Sequence, residues 1–455
     1  MCRPGSMCRP GSRSWIVSAA VGLLVLAVAG GASADSRLRV VVIVPFDATA
    51  LEREEQWMGE GVTQILALGL AQNASIVQIE RARLRSISRA EAWTEPALAQ
   101  AARTLRADAA LFGRLERRGS DVAVVPQLME IKQSGPEVTS LEPVVAPAGE
   151  LFGRLAGLPV AYARTLRVPM TDADAGRIER AARPTRVPRA FELFARGQIA
   201  GQRGDQEGNE AAVDLLSRAI EVDPSFVVAT YTLGVVHSSL GNRWKAAAQF
   251  RASTQLDATY PEPAKALGDL YLSQPRRLFD QAVEAYSKAI ELRPFYADAY
   301  VGLGDAKAAK SDIDGAIAAY QKALVYNPVN PRVHMSLGKI YYGEKGLYYE
   351  AVNAYKKAID LDPHSVDARM GLGEVYEEKG LYKEATEEYR RVIEIDGKHT
   401  GAMYNLALVY EKVDPKAAIA QWERYIELAA PLATEKDWVD VARQHLRKLK
   451  NQVKD

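Results

Sequence analysis

The chain has 455 residues, 58 Lys and Arg against 57 Asp and Glu, and a formal net charge of +1. That near-neutral balance argues against a nucleic-acid partner, which calls for a basic excess. Its only two cysteines, Cys2 and Cys8, fall in the first dozen residues, so the body of the chain has no disulfide or thiol chemistry.

Arg3, Arg9 and Arg13 precede an apolar run from Trp15 to Ala29, and Ala32-Ser33-Ala34 follows. A basic start, an apolar middle and small residues at −3 and −1 describe a secretory signal over residues 1–34, cut after Ala34. An uncleaved anchor is the alternative, but about 16 apolar residues fall short of the ~20 a span needs. MCRPGS occurs at both Met1 and Met7, leaving two candidate starts. No Cys opens the mature chain, so a lipid anchor is not expected, and the Ala- and Arg-rich text points to a bacterial periplasmic protein, soluble or associated with the outer membrane. The mature length, about 420 residues, suffices for two or three domains, each with its own core.

Residues 35–167 read as a small α/β domain. Leu38–Phe46 is a mostly apolar run with three consecutive Val, consistent with a strand buried on both faces. Glu54–Gln72 repeats apolar residues at helical spacing, Ser75–Glu80 reads as a second strand, and Pro96–Arg106 as a helix. Ala109–Leu115 and Asp121–Ile131 form a hairpin around Arg117-Arg118-Gly119-Ser120, and Ala148–Leu166 closes the domain as an amphipathic helix. The order β-α-β-α-β-β-α gives a two- or three-layer domain.

VVVIVPF, EEQWMGEGVTQILALGLA, IVQIERARL and LAQAARTLRADAALFGRLERRGSDVAVVPQLMEI, together about 100 residues, resemble the TolB amino-terminal-like domain and its FlgO and CsgG-type relatives. The resemblance implies a docking domain without catalytic residues. No cyclase, kinase or β-propeller effector accompanies it. Residues 168–189, with Pro169, Pro184 and Pro188, read as a linker with one short helix. Asp172 and Asp174 lack the further ligands and closing Glu of a calcium loop.

From Pro188 onward one pattern recurs. DAYVGLGDAKAAKSDIDGAIAAYQKALVYNP (Asp298–Pro328) is followed by close copies from Val333 and Ala368, and the copies close at Pro224, Ala258, Pro294, Pro328, Pro363 and Gly397. Apolar residues three and four apart on both sides of a short turn make each copy a helix pair. Gly304, Ala316 and Ala323 let the two helices approach, Tyr320 fills the space between, and Pro328 suits the turn to the next pair. A period near 34, with Leu-Gly early, Ala-x-x-x-Tyr/Phe in the middle and a closing Asp-Pro, resembles tetratricopeptide repeats. The reading is about seven repeats over residues 190–431 and a capping helix within 432–455, at Thr434–Lys450. The expected fold class is thus α+β and multidomain: a small α/β N-terminal domain followed by an all-α superhelical solenoid.

In that family the first helix of each pair lines the concave surface, with positions 2, 5, 9 and 12 facing a ligand. On matching positions the resemblance implies Tyr231 and Val235; Lys265 and Asp269; Asp298, Val301 and Asp305; Arg332, Met335, Lys339 and Tyr342; Asp367, Met370, Glu374 and Glu377; Tyr404 and Leu408. Met and aromatic groups among charges suit a peptide groove; the plain alternative is an ordinary solenoid surface whose Tyr rings pack between helices. The family's clamp for a terminal carboxylate is absent, because Asp269 follows Lys265 where an Asn is needed.

Catalytic signatures are missing. His237, His334, His364, His399 and His445 are scattered, no phosphate loop, Gly-x-Ser-x-Gly or His-Glu-x-x-His occurs, and Asp312-x-Asp314-Gly315 falls at a turn without later calcium ligands. No catalytic residue, metal or cofactor is expected. The leading expectation is a periplasmic protein-interaction scaffold; the alternative is a small-ligand or enzymatic site in the α/β domain near Pro45 and Phe46, where strand ends favour ligands.

Overall fold

The computed structural model describes residues 38–87, 93–273 and 278–452; the leader at 1–34 lies outside them. A small N-terminal sheet-and-helix region is followed by a long all-helical solenoid region. The first comprises β1 (Arg39–Ile43), α1 (Trp57–Leu70), β2 (Ile76–Gln78), α2 (Arg81–Ile87), α3 (Glu95–Thr104), β3 (Ala109–Arg118), β4 (Asp121–Lys132), β5 (Gly135–Ser140), β6 (Val144–Pro147), α4 (Leu151–Arg154), α5 (Leu158–Thr165) and α6 (Asp172–Ala181).

The sheet runs β2-β1-β3-β4-β5, with β6 also on β4. β1 is parallel to β2 and β3, and the remaining pairs are antiparallel. Alternation along β1 sets the layers. Val41 and Ile43 pack with Val62, Ile65 and Leu66 of α1, while Val40 and Val42 pack with Leu98, Ala99 and Ala102 of α3. The central strand is covered on both sides, as its unbroken apolar run requires. β5 and β6, beyond the expected hairpin, pair with Gln127–Lys132 and Asp121–Val124 of β4. β5 carries Pro136 and the charged Glu137 and buries little, which is the composition of an edge.

The stretch read as a linker carries α6. Thr171 caps it: its hydroxyl accepts from the Asp174 amide and the Asp174 carboxylate accepts from the Thr171 amide, a reciprocal box. These bonds from Thr171 hold the Asp174 carboxyl below its ordinary range. Ile178 and Ala182 are fully buried, and α6 packs against α1 and α5.

The solenoid begins with α7 (Pro188–Gly201) and α8 (Gln206–Val222), then α9 (Val227–Ser239) and α10 (Arg243–Leu256). There follow α11 (Glu262–Leu272) with α12 (Phe279–Leu292), α13 (Ala297–Ala309) with α14 (Ile313–Tyr326), and α15 (Pro331–Ile340) with α16 (Tyr348–Leu361). The last pairs are α17 (Val366–Glu378) with α18 (Tyr382–Ile395) and α19 (Thr400–Val413) with α20 (Pro415–Ala429), before α21 (Lys436–Gln452). Asp312 caps α14 by accepting from the Gly315 amide at 3.0 Å, which accounts for its place at a turn.

Within five pairs one contact recurs. A Cβ added at Gly234, Gly268, Gly304, Gly338 or Gly373 would lie 2.6–2.8 Å from the ring of Phe250, Tyr286, Tyr320, Tyr355 or Tyr389 on the second helix. The ring occupies the volume that a side chain would take, so the Leu-Gly signature records a packing constraint.

The described chain divides into two compact units at Val329/Asn330. The first holds the sheet and α7–α14. Its main apolar core is continuous from Val41 through Val62 and Leu158 to Phe191, Leu216 and Leu233. Through it runs a row of rings: Trp57–Phe152 (5.2 Å), Phe152–Phe191 (4.7 Å), Phe191–Phe194 (6.0 Å) and Phe194–Phe226 (5.2 Å). The second unit holds α15–α21 around Tyr355, Tyr389, Trp422 and Tyr425. Among the described residues no helix is long and apolar enough to cross a membrane.

Candidate interaction surface

In the first unit the implied groove residues are largely engaged by the fold. Tyr231 packs on Phe250 (5.7 Å) and edge-on to Tyr260 (5.7 Å), and burial pushes its phenol well up. Lys265 donates to Asp269 at 2.8 Å. Asp269 also accepts from the Tyr286 hydroxyl (2.8 Å), and Asp305 accepts from Tyr320 (2.6 Å). Val301 is only 3% exposed and belongs to the core, contrary to its implied ligand-facing place. Asp298 is half-buried and Val235 exposed.

Those bonds follow a rule. Three of the rings set over glycine, Tyr286, Tyr320 and Tyr389, carry a hydroxyl that calls for a partner when buried, and find one. A first-helix acid supplies the acceptor, at position 9 for Asp269 and Asp305 and at position 12 for Glu377, which accepts from Tyr389 at 2.9 Å. Trp422 donates through Nε1 to Glu411, again at position 12, at 2.8 Å. The resemblance implied a ligand-facing place for Asp269, Asp305 and Glu377; the hydroxyls behind them were the competing demand.

In the second unit, Arg332 and Asp367 are exposed, and Met335, Lys339, Tyr342, Met370, Glu374 and Glu377 are half-buried. Met335 and Met370 lie on consecutive first helices at the margin of the apolar core, with Tyr342 and Leu408. Tyr342 sits in a widened π turn, Tyr341–Lys345, that extends α15, and its ring lies 6.1 Å from Tyr348. Arg332, Met335 and Asp367 also line an open depression with Asp362 and Ser365. Tyr404 departs from the implied set. It is 6% exposed, with edge contacts to Trp422 (5.0 Å), Tyr425 (5.4 Å) and Trp438 (5.4 Å), because α21 and its Trp438 cover it. It is a core residue and not a groove contact.

Electrostatics single out Glu374. Burial and then the charge of Glu377 push it up to about 7, against the pull of Lys339. Burial likewise raises Glu377, opposed by the Tyr389 hydroxyl and Lys412. For Glu374 the folded value exceeds the ordinary carboxylate value, so the folded state holds the proton longer than the unfolded one. The stability it contributes is complete below about pH 4.5 and is lost as pH rises through about 7. Glu374→Gln is therefore expected to stabilise the second unit by about 1–3 kcal/mol at pH 8 and to change little at pH 4.5. Denaturant titrations at the two pH values check this; an equal effect at both would show that Glu374 is not the titrating group.

Sequence reading missed a second polar node. Arg293, 6% exposed, donates to Glu262 at 2.8 Å and lies 4.9 Å from the Tyr296 ring centroid. Arg293 stands where other copies close with Asp or Asn before Pro, and that substitution was the available signal. Two histidines have structural roles: His399 caps α19 by accepting from the Ala402 amide, and His445 lies 2.8 Å from Glu411. No group of three His, Cys, Asp or Glu among the described residues is arranged to hold a metal. The strand end at Phe46 is filled: a Cβ at Gly113 would lie 2.5 Å from its ring, and one at Gly59 would lie 2.2 Å from its carbonyl oxygen.

Helix pairs of this period, five of them closed by a ring over a glycine, define a tetratricopeptide-repeat solenoid. Residues 279–311, 304–344 and 342–380 match the family model described as TPR repeat, and 366–399 the one described as Tetratricopeptide repeat. The chain carries tetratricopeptide repeats. It is 33% identical over 125 residues, 27% of its length, to the "Small glutamine-rich tetratricopeptide repeat-containing protein 2" of Mycosarcoma maydis. It is 28% identical over 123 residues, 26% of its length, to the "Probable UDP-N-acetylglucosamine--peptide N-acetylglucosaminyltransferase SPINDLY" of Hordeum vulgare. These matches span 34% and 13% of the two relatives' own lengths. The solved structure of YrrB, described as a TPR protein with an unusual peptide-binding site, is 23% identical, covers 44% of this chain and 100% of its own, and superposes with a TM-score of 0.37.

Proposed function

We propose that this protein is a non-enzymatic interaction scaffold of the bacterial cell envelope, exported by a leader cut after Ala34. Its second unit binds a protein or peptide partner along Met335, Lys339, Tyr342, Met370, Glu374 and Glu377. The observation that carries this reading is the half-buried strip itself, where two Met and a Tyr border a carboxylate pair in like-charge repulsion. A bound cation would relieve that repulsion, so the partner segment presents apolar side chains to Met335 and Met370 and a basic one to Glu374 and Glu377. The N-terminal domain, in its resemblance to TolB amino-terminal-like domains, docks a second envelope component. Any membrane association is indirect, through these partners.

The test is an in-cell crosslinking pull-down of the mature chain from the envelope fraction. Met335→Glu combined with Tyr342→Ala is expected to reduce partner recovery at least about tenfold, as loss of two central anchors does, with thermal stability of the first unit unchanged. Full recovery by the double variant would exclude the strip as the binding surface.

A further inference from the structure

The first unit contains contacts that the repeat pattern does not require, and one group of them gathers at the end of β2 and the start of α2. Arg81 donates to Glu60 at 2.6 Å, and the same Glu60 oxygen accepts from Gln202 beyond the end of α7 at 3.1 Å. Glu60 is 5% exposed, so this is a buried anchor. One residue before Arg81, Glu80 adds to the negative surroundings of Lys265 on α11. Burial pulls the Lys265 ammonium down, but Asp269, Asp298 and Glu80 outweigh it and hold the group raised. Arg83 then donates to the carbonyl of Val329 at 2.9 Å, and Val329 packs beside Leu84 on the apolar cluster under α3. Over three residues, Arg81–Arg83, the chain addresses the first helix pair and the turn after the fourth.

The geometry points to a brace: we propose that Arg81–Leu84 clamps repeats one to four in a single conformation, in which Lys265 stays paired with Asp269. The brace holds whether or not the strip on the second unit binds a peptide. Three features argue for function beyond packing. Contacts in a repeat array are otherwise between neighbours, and such an array bends easily; a strut between its first and fourth members removes that freedom. The struts are one charge-assisted bond and one ion pair on a seven-residue helix whose only buried side chain is Leu84, so the segment can part without unfolding the sheet. Val329 is also the last residue of the first unit, which puts the clamp at that unit's boundary.

The test uses the mature full-length chain, measuring hydrogen exchange and the rate of Lys265 modification by an amine-reactive reagent. Removing one charge-assisted hydrogen bond shifts an opening equilibrium by roughly tenfold. Arg83→Ala is therefore expected to speed Lys265 modification by about that factor and to raise exchange in α11 and α13, leaving α17 and α19 unchanged. The mature chain has no cysteine, so Arg83→Cys with Val329→Cys, bridged by a short bis-maleimide, restores the closed state in the same molecule. Bridging is expected to slow Lys265 modification relative to the unbridged pair. Unaltered Lys265 reactivity in Arg83→Ala would overturn the proposal. Should that variant fail to fold, equal reactivity of the bridged and unbridged pair would do the same.

Discussion

Phe191→Ala is expected to destabilise the first unit by about 3–5 kcal/mol, the range for truncating a buried Phe in a core that cannot collapse around the void. Phe191 is 3% exposed and touches Phe152 on one side and Phe194 on the other, with Trp57 edge-on at 6.5 Å. Removing its ring cuts the row at the point where the sheet region meets the first helix pair. Because the core is shared, the loss is felt on both sides: exchange protection falls together in α1 and in α9, and the denaturation midpoint of the first unit drops. Protection in α17 and α19, in the other unit, stays as it was. A drop confined to α7 and α8 would show that the sheet region and the repeats have separate cores.

The second unit has its own keystone, and Trp422→Ala is expected to destabilise it by about 3–5 kcal/mol. Trp422 is fully buried, meets Tyr404 and Tyr425 edge-on and lies 5.4 Å from the His445 ring of α21. Its loss removes the platform on which α21 rests, so exchange in Lys436–Gln452 should rise first and most. Trp422→Phe keeps most of the packing and removes the bond to Glu411, which still has His445 beside it; about 0.5–1.5 kcal/mol is expected. Calorimetry on both variants, read against the transition of the first unit, separates the two contributions. A Trp422→Phe loss as large as that of Trp422→Ala would place the stabilisation in the hydrogen bond and not in the ring.

The solenoid was legible because its signal is periodic and repeated: Gly at one place, a ring at another and a closing Pro recur often enough to survive exceptions such as Arg293. The buried strand β1 was legible for a similar reason, its run of Val admitting no solvated face. Elements without such a signal were not. α2 buries only Leu84 and β5 is mostly solvated, so neither leaves a pattern. α6 was expected as one short helix in a linker, but its packing was not: it buries Ile178 against α5 just before it and α1 far earlier in the chain. The candidate surface was legible only as a set of positions. Whether a side chain there is free depends on hydroxyls arriving from the second helix, as at Asp269 and Asp305, or on a covering helix, as at Tyr404.

That dependence gives the ring-over-glycine contact a further meaning. Tyr286, Tyr320 and Tyr389 each draw one carboxylate of the first helix into a bond behind the surface. Replacing any of them by Phe would preserve the ring and take one donor away from a carboxylate of the face, leaving that oxygen to seek another, without altering a residue that a partner could touch. The second helices thus act as a set of dials on the accepting capacity of the first, and relatives that differ only at these hidden hydroxyls would differ in what they bind.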